Sequence, residues 1–174
     1  MKLIIFLIFS TALLFGCSDS HQLVPIGKTS KSKIKCEQPV YISVPKDGSY
    51  GNTIYNGSGV SVSNSILSVV SHYCGRVETG NEVQSYSDAL NYSKKHNFGL
   101  LIFPIILEWE DRATEWSGIP DRISIKIQII DIQMEKTIKS YIINGKSGLA
   151  TFGGGHPQDL LPEPIKELFK KIFS

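Results

Sequence analysis

The sequence predicts one domain of the α/β (α+β) class, a single mixed β-sheet with helices packed against it. Three observations lead there. Two helical stripes alternate with short strand signals through the middle of the chain, as in βαβ units. Isoleucines at 123, 125, 127 and 129 alternate with Ser124, Lys126 and Gln128, the pattern of a half-buried antiparallel strand. The chain then ends on an amphipathic helix. The expected order is β-α-β-α-β-β-β-α, without an internal repeat.

Residues 38–44, QPVYISV, are β-branched and aromatic and stop at Pro45, which makes them the first strand. Residues 46–59, KDGSYGNTIYNGSG, are too rich in turn formers for a core element and are expected to form a loop. Val62, Ile66, Val69, Val70 and Tyr73 recur at helical spacing, with Ser61 or Ser63 available as the cap and Gly75 as the stop. Residues 76–79 are a weak strand. Ser85-x-x-Asp88 resembles a capping box opening a helix to His96, whose core stripe is Tyr86, Ala89, Leu90 and Ser93. Residues 100–107, LLIFPIIL, read as a central strand covered on both faces. Pro104 cannot donate to a ladder, so the strand is bulged or broken there or Pro104 faces a gap in the pairing. A turn at 133–136 joins the isoleucine strand to another at 137–144. Ile165, Leu168, Phe169 and Ile172 then give the last helix its apolar face, with Pro162 and Pro164 marking its start.

The first residues fix location rather than chemistry. Lys2, an apolar run from Leu3 to Phe9, small residues at 10–12 and then Leu14-Phe15-Gly16-Cys17 have the layout of a secretory signal. The last four resemble a bacterial lipobox, in which the Cys thiol is acylated before cleavage. The apolar run falls short of the ~20 residues a spanning helix needs. Cys17 is therefore expected as the lipidated mature N-terminus, and its acyl chains as a stable membrane anchor. Ser18 in the next position resembles an outer-membrane address. The domain plan is a signal peptide at 1–16, a lipidated N-terminus and flexible tether at 17–37, and one domain at 38–174.

Removing residues 1–16 from the 174 leaves 158, one ordinary domain, and lowers the formal charge from +2 to +1. Such a balance argues against nucleic acid as a partner. Lys28, Lys31, Lys33 and Lys35 are the local exception, either a solvated tether or a stripe that touches anionic headgroups. Cys36 precedes the first strand and Cys74 ends the first helix. A helix running back along its strand would bring the two thiols near each other in a compartment that permits disulfides. Two separate buried thiols remain the alternative.

Two segments are too unusual for packing alone. Residues 108–122, EWEDRATEWSGIPDR, hold Glu108, Glu110, Asp111 and Glu115 with Trp109, Trp116 and Arg112. Paired carboxylates could serve acid/base or glycosidase chemistry, or a hard-metal site. The same residues could instead brace a long connection with ion pairs, or present Trp and Arg to a partner. Residues 150–164, ATFGGGHPQDLLPEP, could bring backbone N–H groups against an anion, but they lack a Walker lysine and a dinucleotide fingerprint. His156 with Asp159 could act as a base or ligand, or as a hydrogen-bonded loop residue. No zinc spacing or nucleophile elbow is present.

The lipobox, HQLVPIGKT after it, YGNTIYNGSG, WEDRATEWSGIPDR and TFGGGHPQDLLPEP together resemble the short bacterial lipoproteins grouped as domain-of-unknown-function family 4823. That family has no assigned catalytic residues, so the resemblance carries none over to this chain. It implies an acidic residue where this chain has Gly155, which counts against a metal or acid/base role centred on His156. The element order also resembles, at fold level, the small α/β domain of the Tol-Pal translocation protein and of the curli-secretion lipoprotein.

The expected function is that of an outer-membrane lipoprotein, facing the periplasm, that acts as a binding or assembly module of an envelope machine. Its partners would be the membrane, through the lipid on Cys17, and an envelope protein, with no cofactor. The binding surface would combine Trp109, Asp111, Arg112, Glu115 and Trp116 with His156 and Asp159. The alternative is a small envelope hydrolase using the acids of 108–121 with His156. A third arrangement, a structural polar network, would bury the tryptophans and pair the charges with one another.

Overall fold

The computed structural model describes residues 18–27, 32–112, 119–148 and 155–174. Within them the order is β1 (Ser20–Pro25), β2 (Val40–Val44), a short hairpin of β3 (Ser49–Tyr50) and β4 (Thr53–Ile54), α1 (Ser58–Val70), β5 (Val77–Val83), α2 (Tyr86–Lys95), β6 (Leu100–Glu110), β7 (Arg122–Asp131), β8 (Lys136–Lys146), a 3₁₀ turn (Pro157–Leu160) and α3 (Pro162–Ile172). From β2 onward this is the expected order, with the hairpin and the 3₁₀ turn added. Six strands form one mixed sheet in the order β1-β8-β7-β6-β2-β5. Strand β2 runs parallel to β5 and β6, and β6, β7, β8 and β1 pair antiparallel.

Strand β1 corrects the flexible tether expected over residues 17–37. Ser20 pairs with Lys146 and the register continues to Pro25 opposite Tyr141. Leu23 packs against the main core. Without β1, the long strand β8 would present an open edge. His21 Nε2 lies 2.7 Å from Glu167 Oε2 on α3, which fastens the strand from the side. Hydrogen bonds from Lys171 and then from His21 hold the Glu167 carboxyl below its usual range. Further on, Ile34 bridges to Phe173, and buried Lys139 donates to the Ser32 carbonyl at 2.7 Å. Burial pulls the Lys139 ammonium pKa down.

The sheet is covered unequally. One face carries the main core, where Val62, Ile66 and Val70 of α1 and Ile165, Leu168, Phe169 and Ile172 of α3 meet the isoleucines of β7. Each such side chain stabilises the fold by roughly 1.5–3 kcal/mol on burial. The other face carries a smaller core under α2, built on Tyr41, Leu101, Phe103 and Ile130 with Ala89 and Leu90. Ser85 caps α2 by accepting from the Asp88 N–H at 3.2 Å, as the sequence pattern required. Tyr86 stands 40% exposed but sets its edge on Phe103 at 5.4 Å.

Strand β6 resolves the Pro104 problem. Parallel pairing with β2 ends at Ile102, so Pro104 lies just beyond it, opposite Ile127 of β7. The β6–β7 register then shifts between Ile106 and Glu108. This bulge changes which side chains face which way. Leu100 and Ile102 face the main core before it, and Trp109 rather than Glu108 faces that core after it.

Cys36 and Cys74 are joined by a disulfide across a Cα separation of 5.1 Å. It ties the lead-in of β2 to the turn after α1. No described helix is long and apolar enough to cross a membrane.

Candidate functional site

The start of α1 is where separate parts of the chain converge. The loop 46–59, expected to lack regular structure, contains the β3–β4 hairpin and then turns into α1 through Gly57 at φ 87°. The expected caps, Ser61 and Ser63, do not serve. Asp47 Oδ1 accepts the Gly59 N–H at 2.8 Å, and Ser58 Oγ accepts the Gly48 N–H at 2.8 Å. Ser63 Oγ instead reaches the Ser43 carbonyl at 3.0 Å, tying the helix to β2. Gly48 is held against Trp109, since a Cβ there would collide with the Trp109 Cβ.

Trp109 is therefore a core residue, 1% exposed, and cannot present its ring to a partner. The expectation that it forms an exposed hot spot is corrected, because the β6 bulge turns it inward. Arg112 is likewise engaged. Its Nη1 donates to Tyr50 Oη at 2.9 Å, its Nη2 lies 3.0 Å from Glu110 Oε2, and its guanidinium stands 5.2 Å from the Tyr50 ring centre. Asp121 is fully buried, its carboxylate accepts the Arg112 N–H at 2.6 Å, and its own backbone N–H donates to Ser147 Oγ at 2.9 Å. For these residues the structural-network arrangement holds. Asp121→Ala should therefore cost about 1–3 kcal/mol in denaturant unfolding, by leaving the part-buried Arg112 N–H without this acceptor. A loss below about 0.5 kcal/mol, the range of ordinary surface changes, would show that the bond contributes nothing.

Asp111 and His156 do come together. Asp111 Oδ2 lies 3.6 Å from His156 Nδ1, with the imidazole 59% exposed. Asp159 does not join them as a third functional group. Its carboxylate accepts the His156 backbone N–H at 2.9 Å and so holds the 3₁₀ turn. Asp111, His156 and Gln158 line one wall of an open cleft of about 480 Å³, with Ile54, Asn56 and Ser58 on the other and Trp109 between. Glu108 lies in a separate depression with His21, Arg122 and Lys146. Of the described acids of 108–121, Asp111 stands beside His156, whereas Glu108 lines the separate depression, Glu110 pairs with Arg112 and Asp121 is buried. No group of three or more metal-ligating side chains occurs among the described residues. Glu115, Trp116 and Cys17 lie outside them.

Sequence reasoning missed the opposite wall. Ile54, Asn56 and Ser58 belong to YGNTIYNGSG, whose signal was its recurrence in the family motif rather than any chemistry of its own.

A family model described as a domain of unknown function, DUF4823, matches residues 32–172. The chain belongs to this family. Among solved structures, this DUF4823 protein is similar to the PelC dodecamer from Paraburkholderia phytofirmans, with a TM-score of 0.64 and 11% identity over 90% of this chain and 99% of that one. Protein XCC0632 of Xanthomonas campestris, from family DUF330, matches with a TM-score of 0.51 and 9% identity over 84% of this chain and 87% of that one. Lipoprotein GNA1162 of Neisseria meningitidis matches with a TM-score of 0.50 and 11% identity over 76% and 96%. At such identities the likeness is one of fold. No curated protein matches the sequence.

Proposed function

We propose that this DUF4823 protein is an outer-membrane lipoprotein, acylated at Cys17 and facing the periplasm, that works as a binding module of an envelope assembly. Its partner is an envelope protein that seats a segment in the cleft between the 54–58 loop and the Asp111–His156 pair. One observation carries this reading. Three stretches distant in sequence meet in an open cleft whose rim offers exposed Ile54, 64% accessible, beside a carboxylate and an imidazole. Concave, mixed polar and apolar surfaces of this kind suit recognition. The lipobox supports the anchor. That a PelC dodecamer and a lipoprotein use the same fold is compatible with envelope assembly.

The test is crosslinking in living cells with a photoreactive residue at Asn56 or Gln158 of the full-length chain, and at Met134 as a distant control. A discrete protein adduct from both cleft positions, absent at Met134 and lost in Cys17→Ser, is the expected result. Folded, acylated protein that gives no cleft adduct would overturn it.

A further inference from the structure

Strand β1 also sets which way the domain faces. Chain order is fixed from Asp19 onward, because Asp19 Oδ1 accepts the Gly148 N–H at 3.1 Å and Ser20 then enters register with Lys146. Two peptide units span at most ~7 Å, so an acyl group carried at position 17 begins within that reach of Asp19. An anchor this short leaves the domain little freedom to stand away from the bilayer. The antiparallel registers carry the same level across the sheet as a row, Ser20 beside Lys146, Lys146 beside Arg122 and Arg122 beside Glu110. From that row β7 runs on for ten residues, or ~30 Å at ~3.3 Å each, to the turn that holds Met134.

We infer that the Arg122–Lys146 end of the sheet lies against the headgroups of the membrane that holds the anchor, with the β7–β8 turn pointing away. This rests on the proposed acylation of Cys17. Arg122 and Lys146 are exposed and directly opposite each other across the β7–β8 ladder, with Glu110 opposite Arg122 on its other side. His21 and Glu108 line the depression beside them. The two cations are the donors at that end that can meet phosphate groups of anionic lipid. The cleft of Asp111 and His156 follows β6 past Glu110 and so opens at the membrane-proximal end. A partner reaching it comes along the membrane surface.

The orientation is testable with the full-length acylated protein in vesicles of phosphatidylethanolamine and phosphatidylglycerol, some bearing a headgroup nitroxide quencher. A fluorophore is placed at Leu107→Cys, on β6 three strands from the anchor, or at Met134→Cys. Both positions are exposed, at 53% and 63%. The expected result is loss of emission at 107 and none at 134. Equal quenching at both, or quenching at neither, would overturn the inference, the second meaning a domain that stands clear or lies on its β1 edge. Mass measurement of the N-terminal peptide tests acylation separately. An unmodified Cys17 sinks the lipoprotein reading itself, whereas acylated protein with the wrong quenching pattern sinks only the orientation. Arg122→Gln with Lys146→Gln should weaken quenching at 107 in phosphatidylglycerol vesicles, and unchanged quenching would show that these cations do not hold this end against the headgroups.

Discussion

Trp109→Ala is expected to lower the free energy of unfolding by about 3–5 kcal/mol, the cost of emptying a large aromatic site in a closed core. Trp109 is the largest fully buried side chain among the described residues. Its place is fixed on three sides, by the bulge in β6 that turns it inward, by Gly48 pressed against its Cβ, and by the buried residues of the main core. The hairpin that carries Gly48 leads directly into the cleft loop, so collapse at Trp109 should also loosen the 54–58 wall. Urea unfolding followed by circular dichroism gives the stability, and amide exchange at Asn56 and Ser58 gives the local effect. Trp109→Phe keeps much of the ring contact and should cost clearly less than the alanine change. Equal losses for the two would mean that the indole ring makes no specific contact there.

The fold was largely legible because its signals are periodic. The isoleucines of β7 alternate, the apolar residues of α3 repeat at helical spacing, and Ser85 caps α2, and in each case local chemistry and tertiary burial point the same way. The site was less legible, for two physical reasons. A bulge shifts side-chain phase by one residue without any mark in composition, and so Trp109 read as an exposed anchor when it is core. Strand β1 has a weak pattern of its own, since SHQLVP is half polar, and it exists because β8 offers an edge that is distant in sequence. The meeting of Asp111 with His156 joins residues separated by two strands, and no spacing rule encodes that contact. Both segments stood out by composition, which marks where a chain is unusual without telling which side chains touch.

Replacing both Cys36 and Cys74 with serine should lower stability by about 4 kcal/mol, because the bond closes a loop with a sequence separation of 38. For a domain of this size that corresponds to a fall in Tm of roughly 8–16 °C. The loss falls on a particular junction. Cys74 follows α1 at its far end, away from the capped start that forms the cleft wall, so the fold around Asp47 and Ser58 should persist after the bond is gone. Thermal melts of the exported protein, with and without reductant, against the double serine variant decide the matter. Wild-type protein should drop to the variant's Tm when reduced, and the variant should ignore reductant. If reduction leaves the wild-type Tm unchanged, the bond adds no stability and the main core suffices alone. If reduction does lower it, protein made without residues 1–16 and kept in a reducing cytoplasm should melt at the variant's temperature. The stability of the domain would then depend on export, and the oxidising side of the membrane would be the place where this sequence reaches its full fold.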